Sequence, residues 1–296
     1  LEQASGAECA DVAVDVELGG CVGDVEVAHR QLADAVERAE RGVVDLLHRQ
    51  PFRRVGQVRP RRVEDRVVVA AAQLKMRTLP GVSRPGIAVI LPTFHGPVVI
   101  CDVGANIAPK PKHLQQYALM AGAYATAVCG KENPRVGLLS IGEEDAKGTA
   151  IVKESRKLMR DEPLINFIGN VEGRDLFKGV VDVVVCDGFV GNIVLKFTEG
   201  LAEGLFQTIL AELQEFAPEL MEAFKPVMKK IYAKHDWQEY GGAPLLGVGK
   251  YCLICHGRSE SRAIKNAIRV GKQLCASDVN HRIVERIESS IPVGEE

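Results

Sequence analysis

From Gly86 onward, short apolar runs rich in valine and isoleucine alternate with longer stretches whose apolar residues recur at helical spacing. The short runs predict strands at 87–91, 98–103, 136–141, 165–168 and 181–186, with a further one at 251–255. The longer stretches predict helices over 113–128, 150–159, 192–216 and 261–274. Apolar strands interspersed with helices imply an α/β fold, three layers α/β/α around a mostly parallel sheet joined by right-handed crossovers.

The polar positions fall at one recurrent place in this pattern. Asp102-Val103-Gly104-Ala105-Asn106, Gly142-Glu143-Glu144, the segment from Gly169 to Asp175, and the segment from Asp187 to Asn192 each follow a predicted strand. In a parallel sheet such ends lie along one edge, where α/β proteins bind ligands. Glycine there lets a ligand approach main-chain N–H groups, and a following helix adds its positive end. Gly188, Gly191 and Asn192 fit an anion cradle, with Lys196 one turn further on. Asn106, Lys147, Asn170 and Arg174 are candidate ligands in the sister loops, and Thr149 suits a helix N-cap. A tight turn satisfying its own backbone would use the same residues. Near the C-terminus His256, Arg258 and Ser259 cluster before a helix, a set suited to holding an anion or moving a proton.

Composition changes this picture in three ways. Across 296 residues, 46% hydrophobic and 26% charged, the formal charge is −2, which lacks the basic excess of a nucleic-acid binder. No apolar run is long enough to span a bilayer and no secretory leader is evident, so a cytoplasmic location is expected. The eight cysteines sit largely in apolar runs and read as reduced, buried thiols. Cys252, Cys255 and His256 spell C-x-x-C-H, but no second ligand pair accompanies them.

Residues 1–74 contain no Ile, Lys, Met, Asn, Thr, Trp or Tyr. Such a gap is expected when GC-rich DNA is read in the wrong frame, with a genuine extension of biased composition as the alternative, and residues 1–66 are expected to be an aberrant or disordered segment before an α/β domain over 67–296. Within that domain, 205–240 forms an amphipathic helical region. From 218 to 240, Leu220, Met221, Phe224, Val227, Met228, Ile231 and Tyr232 recur at helical spacing among Lys225, Lys229, Lys230 and Lys234. A basic amphipathic helix suits a membrane surface, an acidic carrier or a dimer partner, and a core-packing helix has the same form. Pro226 is expected to bend or split it.

CDVGAN, QQYALMAGAYA, NPRVGLLSIGEEDAKGT, NFIGNVEGRDLFKG, VDVVVCDGFVGNIVLKFTEG, YGGAPLLGV and HGRSESRAIKNAI together resemble the PlsX family of phosphate acyltransferases, in the family's order from about Val67 to Val270. The resemblance implies a fold similar to the isocitrate and isopropylmalate dehydrogenases. It implies transfer of a fatty acyl group from acyl carrier protein to inorganic phosphate without metal or redox cofactor. The implied partners are a second copy of the chain, a membrane surface and a membrane glycerol-3-phosphate acyltransferase that takes the product. In this scheme His256, Asn192 and Lys196 are catalytic. Asn106, Lys147, Asn170, Arg174, Gly188, Gly191, Arg258 and Ser259 hold substrate. The family's AMGGD-type and SAGNTG-type loops have no counterpart here, so part of the sheet and cleft is expected to be missing. A phosphate acetyltransferase-like enzyme and a catalytically dead remnant are the alternatives.

Overall fold

Alternation along each strand decides which face its side chains bury. The computed structural model describes residues 12–15, 65–235, 242–255 and 261–290, and the separate segment expected over 1–66 falls almost wholly outside them. The strands are β1 (Val12–Asp15), β2 (Gly86–Thr93), β3 (Gly96–Cys101), β4 (Val136–Leu139), β5 (Phe167–Val171), β6 (Val183–Val185), β7 (Ala243–Leu246) and β8 (Cys252–Cys255). The helices are α1 (Asp65–Met76), α2 (Pro111–Cys129), α3 (Ala150–Asp161), α4 (Gly188–Phe216), α5 (Met221–His235), α6 (Ser261–Ala276) and α7 (Val279–Ser290).

Ala88, Val99, Cys101, Val183 and Val185 share one core with α2, α6 and α7, whereas Ile87, Val98, Ile100 and Val184 share the other with α1 and the start of α4. Three layers follow from this period of two. Helix α2 is almost wholly buried, with Tyr117, Met120 and Tyr124 among its interior residues.

The sheet runs β1-β8-β7-β2-β3-β6-β4-β5. The pairs β3/β6, β6/β4 and β4/β5 are parallel, while β1/β8, β8/β7, β7/β2 and β2/β3 are antiparallel. The sheet is therefore mixed and not mostly parallel. The short link between β2 and β3 allows only a hairpin, and β7, whose four residues include proline, is a strand outside the predicted set. β8 runs antiparallel to β3, so its C-terminal end faces away from the edge that carries the β3, β6, β4 and β5 loops.

Two element boundaries differ from expectation for local reasons. The expected strand 165–168 is shifted to Phe167–Val171, because Phe167 and Gly169 pair with consecutive residues Val136 and Gly137 and leave Ile168 as an extra residue. Gly169 takes φ +104° at this bulge, a conformation that favours glycine. The long helix begins at Gly188, four residues before the expected start, because the Asp187 side chain caps it by accepting from the Val190 N–H. Pro226 lies inside a continuous α5 and does not split it, a short 3-10 turn at Pro218–Leu220 preceding that helix. Thr149 caps α3 as expected.

Asp182 joins the starting ends of β4 and β6. Its carboxylate accepts from the Arg135 backbone N–H at 3.0 Å, from Arg135 Nε at 2.8 Å and from Lys131 Nζ at 3.0 Å. Burial alone would raise its pKa, but the Arg135 and Lys131 hydrogen bonds outweigh this and hold it well below the usual carboxylate range. Asp182→Ala is expected to cost about 2 kcal/mol, a figure kept low because both cations are partly solvated. The loss should shrink as pH falls, since the contribution exists above the unfolded carboxylate pKa and disappears as the folded group is protonated. Urea unfolding at pH 7 and pH 3 measures both.

Candidate functional site

Three neighbour spacings of about 4.8 Å place the C-terminal ends of β3, β6, β4 and β5 within roughly 14 Å along one edge. The loops expected to converge do lie there, and they form two clusters of direct contacts.

The first cluster is built on Asp102, the residue that ends the apolar run of β3. It is fully buried, and its carboxylate accepts from the N–H groups of Ile87 at 3.0 Å, Ala105 at 3.0 Å and Asn106 at 2.7 Å. Burial raises its pKa to about 6, against the lowering effect of those same N–H groups. Asn106 extends the network: its Nδ2 donates to the Pro85 carbonyl at 2.7 Å, and its own carbonyl accepts from the Gly188 N–H at 2.8 Å. The first turn of α4 thus rests on the loop after β3. The Tyr117 ring lies beneath Gly86, and its hydroxyl lies beside Asp102 and Asn106.

The glycines of the α4 turn explain how close this packing is. A Cβ at Gly188 would stand 2.8 Å from Asp102 Oδ2 and 2.9 Å from the Asn106 carbonyl, and one at Gly191 would collide with the Asp102 carbonyl. Their main-chain donors are also engaged. Gly188 N–H is taken by Asn106, Val190 N–H by the Asp187 carboxylate, and Gly191 N–H by the Asp187 carbonyl. Here the missing side chains admit a neighbouring loop. Asn192 and Lys196 lie exposed on the next positions of α4, with Lys196 Nζ 3.8 Å from Glu199.

The second cluster lies after β4 and β5. Asn170 is buried, its Nδ2 donates to the Glu144 carbonyl at 3.2 Å, and its Oδ1 has no hydrogen-bond partner among the described residues. Lys147 is exposed in the same loop, its N–H donating to the Glu144 carbonyl. Arg174 pairs with Glu172 at 3.0 Å, and Asp175 accepts from Lys178 at 2.7 Å and from the Glu172 N–H. An open cleft of about 380 Å³ borders this cluster, with Asn170 on its wall. Arg156 and Arg160 reach it too, both paired with Asp145.

Six of the expected site residues therefore fall into the two clusters, Asn106, Gly188 and Gly191 in the first and Lys147, Asn170 and Arg174 in the second, with Asn192 and Lys196 beside the first. His256, Arg258 and Ser259 lie outside the described residues. The sequence reading passed over Asp102 as a site residue. Its signal was present: a carboxylate directly after an uninterrupted apolar strand, with glycine two residues later, must be buried and needs donors from its own loop.

An α/β sheet whose parallel strands deliver polar, glycine-rich loops to one edge defines a ligand-binding scaffold of the open α/β class. Residues 67–282 match the family described as Fatty acid synthesis protein. The phosphate acyltransferase of Nitratidesulfovibrio vulgaris (strain DP4) is 47% identical over 221 residues, which cover 74% of this chain and 64% of that protein. That of Dictyoglomus turgidum is 42% identical over 231 residues, covering 77% of this chain and 69% of the other. The chain belongs to this family, the PlsX family to which its motifs point. It spans only about two thirds of the length of these relatives. Among solved structures, a branched-chain phosphotransacylase from Enterococcus faecalis covers 81% of this chain and 94% of its own at 14% identity and a TM-score of 0.37, too slight a likeness to carry an argument.

Proposed function

We propose that this chain is the larger part of an acyltransferase that moves a fatty acyl group from acyl carrier protein to inorganic phosphate. The observation that carries the proposal is the gathering of the β3, β6, β4 and β5 loops on one edge in a member of this family. In the reaction a phosphate oxygen attacks the thioester carbonyl, a C–O bond forms, the C–S bond breaks, and the carrier thiolate leaves and takes up a proton. Catalysis then rests on holding phosphate in line with the carbonyl and on donors aimed at the developing oxyanion. Asn192 and Lys196, exposed beside the buried Asp102 network, are suited to that edge, with Asn106 and Gly188 fixing where α4 begins. The roles expected of His256, Arg258 and Ser259 are not part of this reading, because Cys255, which immediately precedes them, ends β8 on the side of the sheet away from this edge.

A covalent acyl-cysteine fits poorly. Burial pushes the Cys101 and Cys186 thiols well above the usual range, so neither supplies a thiolate near neutral pH. Acyl phosphate would then be handed to a membrane glycerol-3-phosphate acyltransferase for phosphatidic acid synthesis. No helix among the described residues is long and apolar enough to cross a membrane. Phe189, Ile193, Phe197, Leu201 and Leu205 stand four residues apart on α4, each more than half exposed, and this apolar stripe supports association with a second copy or with a membrane surface.

Acyl phosphate formation from long-chain acyl carrier protein, trapped with hydroxylamine, tests the proposal on this chain and on one extended by the family's N-terminal loops. Product from the extended chain alone identifies the present chain as an incomplete enzyme. Product from neither overturns the assignment, and product from acetyl-CoA in place of the carrier-bound substrate favours an acetyl-transferring enzyme.

A further inference from the structure

Charge is spread unevenly beside the first cluster. Between Asp65 and Glu132 the sole carboxylate is Asp102, which is buried, whereas Arg84, Lys110 and Lys112 are exposed. None of the three takes part in the ion pairs of the described residues. They also share one place. The Lys110 N–H donates to His113 Nδ1 at 3.0 Å, and the His113 pKa is lowered by burial and then by the charges of Arg84 and Lys110. Helix α2 starts here with no acidic residue in its first turn, so its positive end adds to the patch.

This patch is held firmly against the strand-end loops. Gln116 clamps the Arg84 segment by accepting from the Ser83 N–H at 2.9 Å and donating to the Gly81 carbonyl at 2.8 Å. The neighbouring Pro85 carbonyl is joined through Asn106 to the first residue of α4. Ile107, 48% exposed, offers one apolar contact beside the cations. Helix α5 differs: Lys225 is paired with Glu222, and Glu219 stands in the turn before it.

We propose that Arg84, Lys110 and Lys112, together with Ile107, form the docking surface for an acidic carrier protein, which presents its acyl thioester to the loops after β3 and β6. The proposal rests on the carrier-bound donor named above. Complementary charge steers such an encounter and sets its register. A single exposed isoleucine suits the rim of a protein contact better than a lipid surface, for which the α4 stripe is the larger apolar area.

The test measures binding of the intact chain to acyl carrier protein whose acyl chain is attached through an unreactive amide, at low and at physiological salt. Arg84→Glu with Lys110→Glu is expected to weaken binding at least about tenfold and to flatten its salt dependence. Lys229→Glu with Lys230→Glu on α5 is expected to change it less than about twofold. Lys112→Glu alone, on the exposed start of α2, gives an independent reading with an expected loss of about threefold should the double variant fail to fold. Unchanged carrier affinity in the folded Arg84 and Lys110 variant overturns the docking surface. So does a loss confined to the α5 variant, or a loss of binding to anionic lipid vesicles with carrier binding intact. Absence of any carrier binding by the unsubstituted chain overturns the surface and the carrier-bound donor together.

Discussion

Gly191→Ala is expected to destabilise the protein by about 3 kcal/mol or to prevent its folding, the largest effect expected of alanine at any of the described glycines. The new Cβ would occupy the space of the Asp102 carbonyl, with Cys186 Sγ 2.9 Å away on its other side. Backbone cannot retreat there as a flexible side chain would, because the Asp102 N–H is held by the Cys186 carbonyl at 3.1 Å and the Cys186 N–H by the Cys101 carbonyl at 2.9 Å. Gly200 and Gly204 on the same helix meet nothing within 4 Å of an added Cβ. Alanine at either is expected to stabilise by up to about 1 kcal/mol, since it removes glycine's excess freedom in a helix. Urea unfolding of the three variants separates contact from propensity. A Gly191→Ala variant as stable as its Gly200→Ala counterpart would refute the close packing of α4 on the β3 loop.

Asp102→Ala is the second large effect, about 3 to 5 kcal/mol, because three N–H groups lose their acceptor in a place water does not reach. Asp102→Asn separates charge from shape. In the folded protein the carboxyl keeps its proton up to about pH 6, whereas its ordinary value is 3.8, so between these limits the folded state carries the extra proton. This contribution to stability is complete below about pH 4, declines as pH rises and is absent above about pH 6, a change on the order of 3 kcal/mol. The sign is opposite to that of Asp182. The unfolding free energy of the parent is expected to fall by about that amount relative to Asp102→Asn between pH 4 and pH 7. Parallel curves would mean that Asp102 does not titrate in this window.

The layered architecture was legible because burial imposes its period on each element separately. Valine-rich runs at 98–103 and 181–186 read as strands buried on both faces, and the apolar 113–128 as a buried helix. The loops after the strands were equally legible, since glycine, asparagine and aspartate mark where a chain turns. Strand direction was not, because a four-residue segment such as Ala243–Leu246 is antiparallel only by virtue of the neighbour it meets in space. The partners of the glycine N–H groups were not legible either, for the same reason. Gly188 and Gly191 were read as opening main-chain donors to an anion, yet those donors are taken up by Asn106 and Asp187.

By itself the amino-acid sequence determined the family, the three layers, and the positions of the polar loops, all properties set by spacing along one dimension. Tertiary structure alone decided that the sheet is mixed, that Asp102 anchors two loops and the start of α4, and that Arg84 stands beside Lys110 and His113. Those facts depend on which distant segments share a surface, and a hydrogen bond between residues 85 and 106, or 106 and 188, leaves no period in the chain that makes it.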